Sequence, residues 1–274
     1  MAMSDMSPED KQTLMEHLKA LRRSLVISVL AILAAAMVCF AFNEPILAFI
    51  IKPLLVMDEN LIVTGVTEAF FVKLKLSLLG GLVIALPIVL WSLWGFFKPA
   101  LYPHERKYVY ILLPIMLILF AGGVSFAFFL IMKLILNFFI FIVGDTLETM
   151  FKVDEYVAFV MSMCIPFGLV FELPVVVFFL SKLGIVRHAL LARNRKYALL
   201  IIVVLSAALT PGGDPFSQLL MAGPVYLLYE ISIIVAKLAK PSPERLEQVE
   251  AKRAAKAARK EARRAARAAR RVQR

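Results

Sequence analysis

Charged side chains are scarce in this chain, and cysteine is scarcer. Asp, Glu, Lys and Arg make up 19% of its 274 residues against 61% hydrophobic ones, and the mean hydropathy is +0.82. One soluble core of this length cannot bury so much apolar surface, which excludes water as the main solvent. The two cysteines, Cys39 and Cys164, both stand inside long apolar runs, where a thiol behaves as a small hydrophobe and a disulfide partner is out of reach. The signatures of phosphate, metal and nucleophile chemistry are missing too. No G-x-x-x-x-G-K-[ST] loop, H-E-x-x-H helix, paired-cysteine spacing or G-x-S-x-G elbow occurs, and His17, His104 and His188 lie in separate segments. Neither enzymatic activity nor a metal or other cofactor is expected, and no internal repeat of the kind found in many transporters is evident.

What the chain does have is long uncharged runs. A helix needs about 20 apolar residues to cross a hydrocarbon core of ~30 Å while satisfying its own backbone hydrogen bonds. Leu25–Asn43, Leu76–Phe97 and Tyr108–Met132 carry no charge, and Tyr156–Ser181 carries only Glu172. Between Lys196 and Lys237 the only charges are Asp214 and Glu230, and Thr210-Pro211-Gly212-Gly213-Asp214-Pro215 interrupts the middle. One straight helix there would be about twice the core thickness and would break at the Pro/Gly cluster, so the stretch predicts two short antiparallel helices. The fold class is therefore all-α and polytopic. Six transmembrane helices are expected at about 22–43, 69–97, 107–132, 155–181, 196–210 and 216–236, within a membrane domain of residues 1–240.

Charge orients the spans. Lys and Arg crowd the N-terminal segment, the Lys98–Lys107 loop and the Lys182–Lys196 loop, whereas the Glu44–Glu68 loop holds mostly acids and the Asp214 turn has no cation. The positive-inside rule puts both termini in the cytoplasm, with the first run an uncleaved span rather than a signal peptide. The tail (241–274) is basic: from Lys252 to Arg274 eleven Lys/Arg face Glu261 alone, so that stretch holds +10 of the net +11. Its charges suit a solvated helix that reinforces orientation, or anionic lipid headgroups or ribosomal RNA. With no aromatic residue from Lys240 onward, base stacking is not expected.

Two acids stand out. An ionisable group inside a span is costly by ~2.5 to 3.5 kcal/mol on insertion scales and usually faces a cavity or a partner. Glu172, bracketed by Pro166 and Pro174, reads either as a functional group in a polar notch or as a carboxyl that only fixes packing. Glu105 sits in Phe96-Phe97-Lys98-Pro99-Ala100-Leu101-Tyr102-Pro103-His104-Glu105-Arg106-Lys107. Alone it reads as a solvated loop acid. Two prolines that stiffen the loop and an aromatic rim make it suit a guanidinium receptor, because the arginine fork binds carboxylates bidentately.

From about Leu14 to Ile234 these residues resemble the TatC family of twin-arginine translocase subunits. The resemblance is carried by His17-Leu18 with Leu21-Arg22, by Pro99-Ala100-Leu101-Tyr102 through His104-Glu105-Arg106, by Phe171-Glu172-Leu173-Pro174, and by Leu209-Thr210-Pro211 with Asp214 and Phe216-Ser217-Gln218. It implies a cupped, glove-like receptor in the bacterial cytoplasmic membrane. Such a receptor binds twin-arginine signal peptides of folded precursors and moves them with TatA- and TatB-type partners, using the proton-motive force, within a larger self-associating complex. By the same resemblance Glu105 reads the arginine pair, Leu18, Arg22, Leu25 and Phe96 belong to the signal-binding region, and Pro53 and Asp214 to the periplasmic cap. Glu172, Thr210 and Gln218 are the intramembrane or partner-binding polar positions. Where the family's pattern carries a second acid this chain has Ala20, and Glu16, one turn earlier on the same face, is the expected substitute. A later family arginine is Ser24 here. A proton-coupled solute transporter using Glu172 is the main rival reading, and a membrane-embedded enzyme ranks third because no nucleophile or second carboxylate sits at that depth.

Overall fold

The structure is a computed structural model that describes residues 8–57, 59, 61–97, 106–144, 150–210 and 214–239. Glu105, the 211–213 turn and the basic tail fall outside these residues; of Glu16 and Phe96 the backbone is described and the side chain is not.

The elements in chain order are α1 (Pro8–Ala41), α2 (Asn43–Leu55), β1 (Leu61–Ile62), α3 (Glu68–Phe97), α4 (Arg106–Phe126), a π-helical turn (Ala127–Ile131), α5 (Met132–Val143), β2 (Phe151–Lys152), α6 (Val153–Phe171), α7 (Leu173–Lys182), α8 (His188–Arg193), α9 (Arg195–Leu209) and α10 (Pro215–Leu238). Five runs are long and apolar enough to cross a membrane: Leu18–Ala41, Glu68–Gly95, Tyr110–Val143, Val153–Lys182 and Pro215–Leu238. The 15-residue α9 supplies a sixth, short spanning helix. α10 runs over 24 residues, so the shortness expected of the last pair rests in α9. The third helical run continues past Met132 through Lys133 to Val143. A single lysine can extend its ammonium along the helix toward the interface, and no proline or glycine intervenes before Gly144, whose φ of 65° ends the run.

The chain divides into two compact units, residues 1–172 with 200–226, and residues 173–199 with 227–274. In the first, α1 and α3 pack antiparallel and close. A Cβ added at Gly81 would lie 2.7 Å from the backbone nitrogen of Ala36, and one at Gly80 would lie 2.9 Å from Cys39 Sγ. Small residues permit this approach, which lipid-embedded helices use because apolar burial alone does not drive them together. Gly81→Leu is therefore expected to force the helices apart and cost about 1–3 kcal/mol, seen as a lower thermal midpoint of the purified protein; an unchanged midpoint would contradict the packing.

The same device joins α4 to α6. A Cβ at Gly123 would meet the Phe167 carbonyl oxygen at 2.7 Å, and one at Gly168 would meet the Phe120 ring at 2.7 Å. Between these contacts lies a core that includes Leu54, Leu76, Ile131, Met132, Val157, Val160, Met163 and Phe167. The π-helical turn seats Phe128 in this core, where its ring stacks on Phe49 of α2 at 5.2 Å, and Tyr156 of α6 donates to the carbonyl of Ile50 at 2.8 Å. α2 is thereby held against α6. Large apolar residues such as Met37, Ile118 and Phe141 remain highly exposed, which is the surface expected where lipid is the solvent.

At the end of this unit where α1 finishes and α6 begins, β1 and β2 pair in parallel, Leu61 with Phe151 and Ile62 with Lys152. In the second unit, the Arg195 guanidinium grips Glu230 with two 2.8 Å contacts, and the Tyr229 hydroxyl donates to the Leu191 carbonyl at 2.8 Å.

Candidate functional site

Residues three and four apart share a face of a helix, so Leu18, Arg22 and Leu25 form one stripe of α1. All three are exposed. The stripe begins at Met15, also exposed, which sequence reasoning missed because its motif residues start at His17. Ser24 and Ser28, four apart, lie on an adjoining side of α1 that is buried. There the Ser24 hydroxyl donates to the Ser92 carbonyl at 2.8 Å and the Ser92 hydroxyl returns a bond to the Ser24 carbonyl at 3.0 Å. This contact fixes the register of α1 on α3. Phe96 follows Ser92 by one turn, and α3 ends at Phe97. From Ser24 back to Pro8, α1 continues for sixteen residues, so at 1.5 Å per residue it projects roughly 16 Å beyond the end of α3. Glu16 lies in that projection, on the face that carries Ala20 and Ser24 and not on the Leu18–Arg22–Leu25 stripe.

Glu172 sits in the single non-helical turn between α6 and α7. Its N–H donates to the Leu169 carbonyl at 3.2 Å, and Pro174, two residues on, has no N–H to contribute, so the helical ladder is interrupted here. The side chain is only 6% exposed, and neither carboxyl oxygen has a hydrogen-bond partner among the described residues. The preceding Phe171 packs on Phe126, with ring centroids 5.7 Å apart. A buried carboxyl without partners costs free energy that packing alone does not return.

Thr210 and Gln218 have partners within the chain. The Thr210 hydroxyl donates to the Ser206 carbonyl at 2.7 Å, and the Gln218 amide donates to the Val203 carbonyl at 3.0 Å, bridging α10 to α9. Asp214 caps α10, accepting from the Ser217 N–H at 2.7 Å with Pro215 in the first helical position, the arrangement that best starts a helix. Pro53 lies inside α2, half-buried.

The strand end of the unit carries a polar clasp that the sequence did not reveal. Glu68 accepts from the backbone of Thr64 (2.6 Å) and Gly65 (2.9 Å), from the Thr64 hydroxyl (3.0 Å), and across the chain from the Asp154 N–H (3.2 Å). Asp154 in turn pairs with Lys75 of α3. The clasp ties the segment before α3 to the start of α6, and no spacing rule links residues so far apart in sequence.

The helices, their apolar exterior and the acid buried at the turn between two of them define a multi-pass, all-helical membrane protein with six transmembrane helices. The family model for TatC, Sec-independent protein translocase protein, matches residues 16–224. The TatC of Carboxydothermus hydrogenoformans is 45% identical over 234 residues, 85% of this chain and 96% of that protein, and the TatC of Aquifex aeolicus is 38% identical over 86% of this chain and 99% of that protein. A crystal structure of a twin-arginine translocase receptor, TatC, superposes with a TM-score of 0.75 at 38% identity, covering 81% of this chain and 99% of that one. The chain belongs to the TatC family of Sec-independent protein translocase subunits.

Proposed function

We propose that this translocase subunit is the receptor that reads twin-arginine signal peptides of folded precursors, at a cytoplasmic mouth formed by the projecting end of α1 and the loop that follows α3. Glu105 accepts the guanidinium pair, while Leu18, Arg22, Leu25 and Phe96 line the approach and Glu16 supplies a second carboxylate. What supports this reading is the register of the first two spans. Ser24 opposite Ser92 brings the exposed α1 stripe and the α3 terminus to the same end, the end from which residues 98–105 depart.

The protein lies in the bacterial cytoplasmic membrane with both termini inside, as the distribution of Lys and Arg supports. Its partners are TatA- and TatB-type single-span subunits, which meet it near Glu172, Thr210 and Gln218, and transport draws on the proton-motive force. Pro53 and Asp214 belong to the opposite, periplasmic cap. The rival assignment to solute transport is not favoured by the relatives, all of them translocase subunits.

Photo-crosslinking tests the assignment. Benzoylphenylalanine placed at Phe96 or at Glu105 is expected to capture a peptide bearing paired arginines before an apolar stretch, and to capture its Lys-Lys counterpart far less. Equal capture of the two peptides, or none of either, would overturn the reading.

A further inference from the structure

We propose that Ser24 and Ser92 are positioning residues for signal-peptide recognition: their reciprocal hydrogen bonds set the rotation and register of α1 on α3, and so aim the Leu18–Arg22–Leu25 stripe at the mouth. The inference rests on the signal-peptide reading above, and its geometry is independent of it.

Each hydroxyl donates to the other residue's carbonyl, at 2.8 Å and 3.0 Å, and Ser28 donates a third bond to the same Ser24 carbonyl at 2.8 Å. All three serines are buried, at 6 to 8% exposure. A reciprocal pair of this kind closes only when the two residues face each other. Sliding α1 by one residue turns each side chain by more than a quarter of a revolution and breaks both bonds at once. Apolar contacts are less demanding, because methyl groups can repack across neighbouring registers.

The pair stands where that demand matters. Ala36 with Gly81 and Cys39 with Gly80 hold the far end of the helix pair by close approach, a contact that limits distance more than rotation. Arg22 and Leu25 flank Ser24 on α1, and Phe96 stands one turn beyond Ser92 on α3. α3 ends at Phe97, so among the described residues the Ser24–Ser92 pair is the hydrogen-bonded contact between the two helices nearest the α1 projection.

Three forms of the full-length protein in lipid nanodiscs test this: wild type, Ser24→Ala/Ser92→Ala, and Ser24→Thr/Ser92→Thr, which keeps both hydroxyls. Affinity for a fluorescent twin-arginine signal peptide is expected to fall about tenfold in the alanine form, the equivalent of losing one to two modest hydrogen bonds. The threonine form should stay within about twofold of wild type. Spin labels at Met15 and Ile88, in a Cys39→Ser/Cys164→Ser background, should give one narrow distance distribution in the wild-type and threonine forms and a broad one in the alanine form. A role confined to stability would lower the thermal midpoint and leave both the affinity of the folded protein and the distance distribution unmoved.

Wild-type affinity in the alanine form overturns the inference, as does an affinity loss with an unbroadened distribution. If wild type itself fails to favour Arg-Arg over Lys-Lys peptide, the signal-peptide reading falls and takes the inference with it; if wild type discriminates and the alanine form matches it, only the inference falls. Should the double alanine form not fold, each single Ser→Ala variant, which retains one of the two bonds, is expected to lose about threefold in affinity, and no loss in either one overturns the inference.

Discussion

Glu172→Leu is expected to make the protein harder to unfold and unable to transport. The wild-type carboxyl is buried, and its oxygens are without hydrogen-bond partners among the described residues. Replacing it by an apolar side chain of similar size removes the desolvation penalty, worth about 1–3 kcal/mol. The expected readouts are a raised thermal midpoint, signal-peptide affinity unchanged within about twofold, and precursor export near background. If Glu172 only fixed packing, the signs would reverse: Glu172→Leu would lower the midpoint, and export would decline no further than the amount of folded protein does. Strain of this kind persists where function requires it, and a residue that destabilises its own fold is a stronger functional candidate than one that stabilises it.

Glu105→Gln should act at the other end of the process. The substitution keeps size and hydrogen-bonding capacity but removes the charge that a guanidinium fork needs. A charge-assisted bidentate contact is worth about 1.5–3 kcal/mol, so affinity for a twin-arginine peptide is expected to fall roughly ten- to a hundredfold. The thermal midpoint should hardly move, since loop acids contribute little to stability. The Lys-Lys peptide, which offers point charges in place of planar forks, should lose much less. The two variants are therefore expected to separate the stages, Glu105→Gln blocking recognition and Glu172→Leu a step after it.

Much of the architecture was readable because lipid imposes simple rules. Charges punctuate spans, so the uncharged runs from Leu25, Leu76 and Tyr108 each became a helix, and the family's motifs could be aligned residue by residue with the chain. Glu172 was legible for the same reason: one acid inside a run of 26 residues is conspicuous, and its burial follows. What escaped were the polar contacts between helices. Ser24 and Ser92 look like tolerated small residues in apolar helices, since a serine can always satisfy itself on its own preceding turn; only the antiparallel register turns them into partners. Lys75 and Asp154 are likewise unremarkable singly, as are Arg195 and Glu230, and only the fold pairs them. The third span runs past Met132 because a charge at Lys133 ends an apolar count without ending a helix, and the π-helical turn just before it has no composition signal at all.

Recognition of the arginine pair by Glu105 is tested most directly by a double-mutant cycle, measuring four affinities in nanodiscs: wild type and Glu105→Gln, each against Arg-Arg and Lys-Lys signal peptides. Direct contact predicts a coupling free energy above about 1 kcal/mol, as for close charge pairs across an interface, with the Arg-Arg preference largely gone in the variant. Effects that add to within about 0.5 kcal/mol, leaving that preference intact without the carboxylate, would contradict the account.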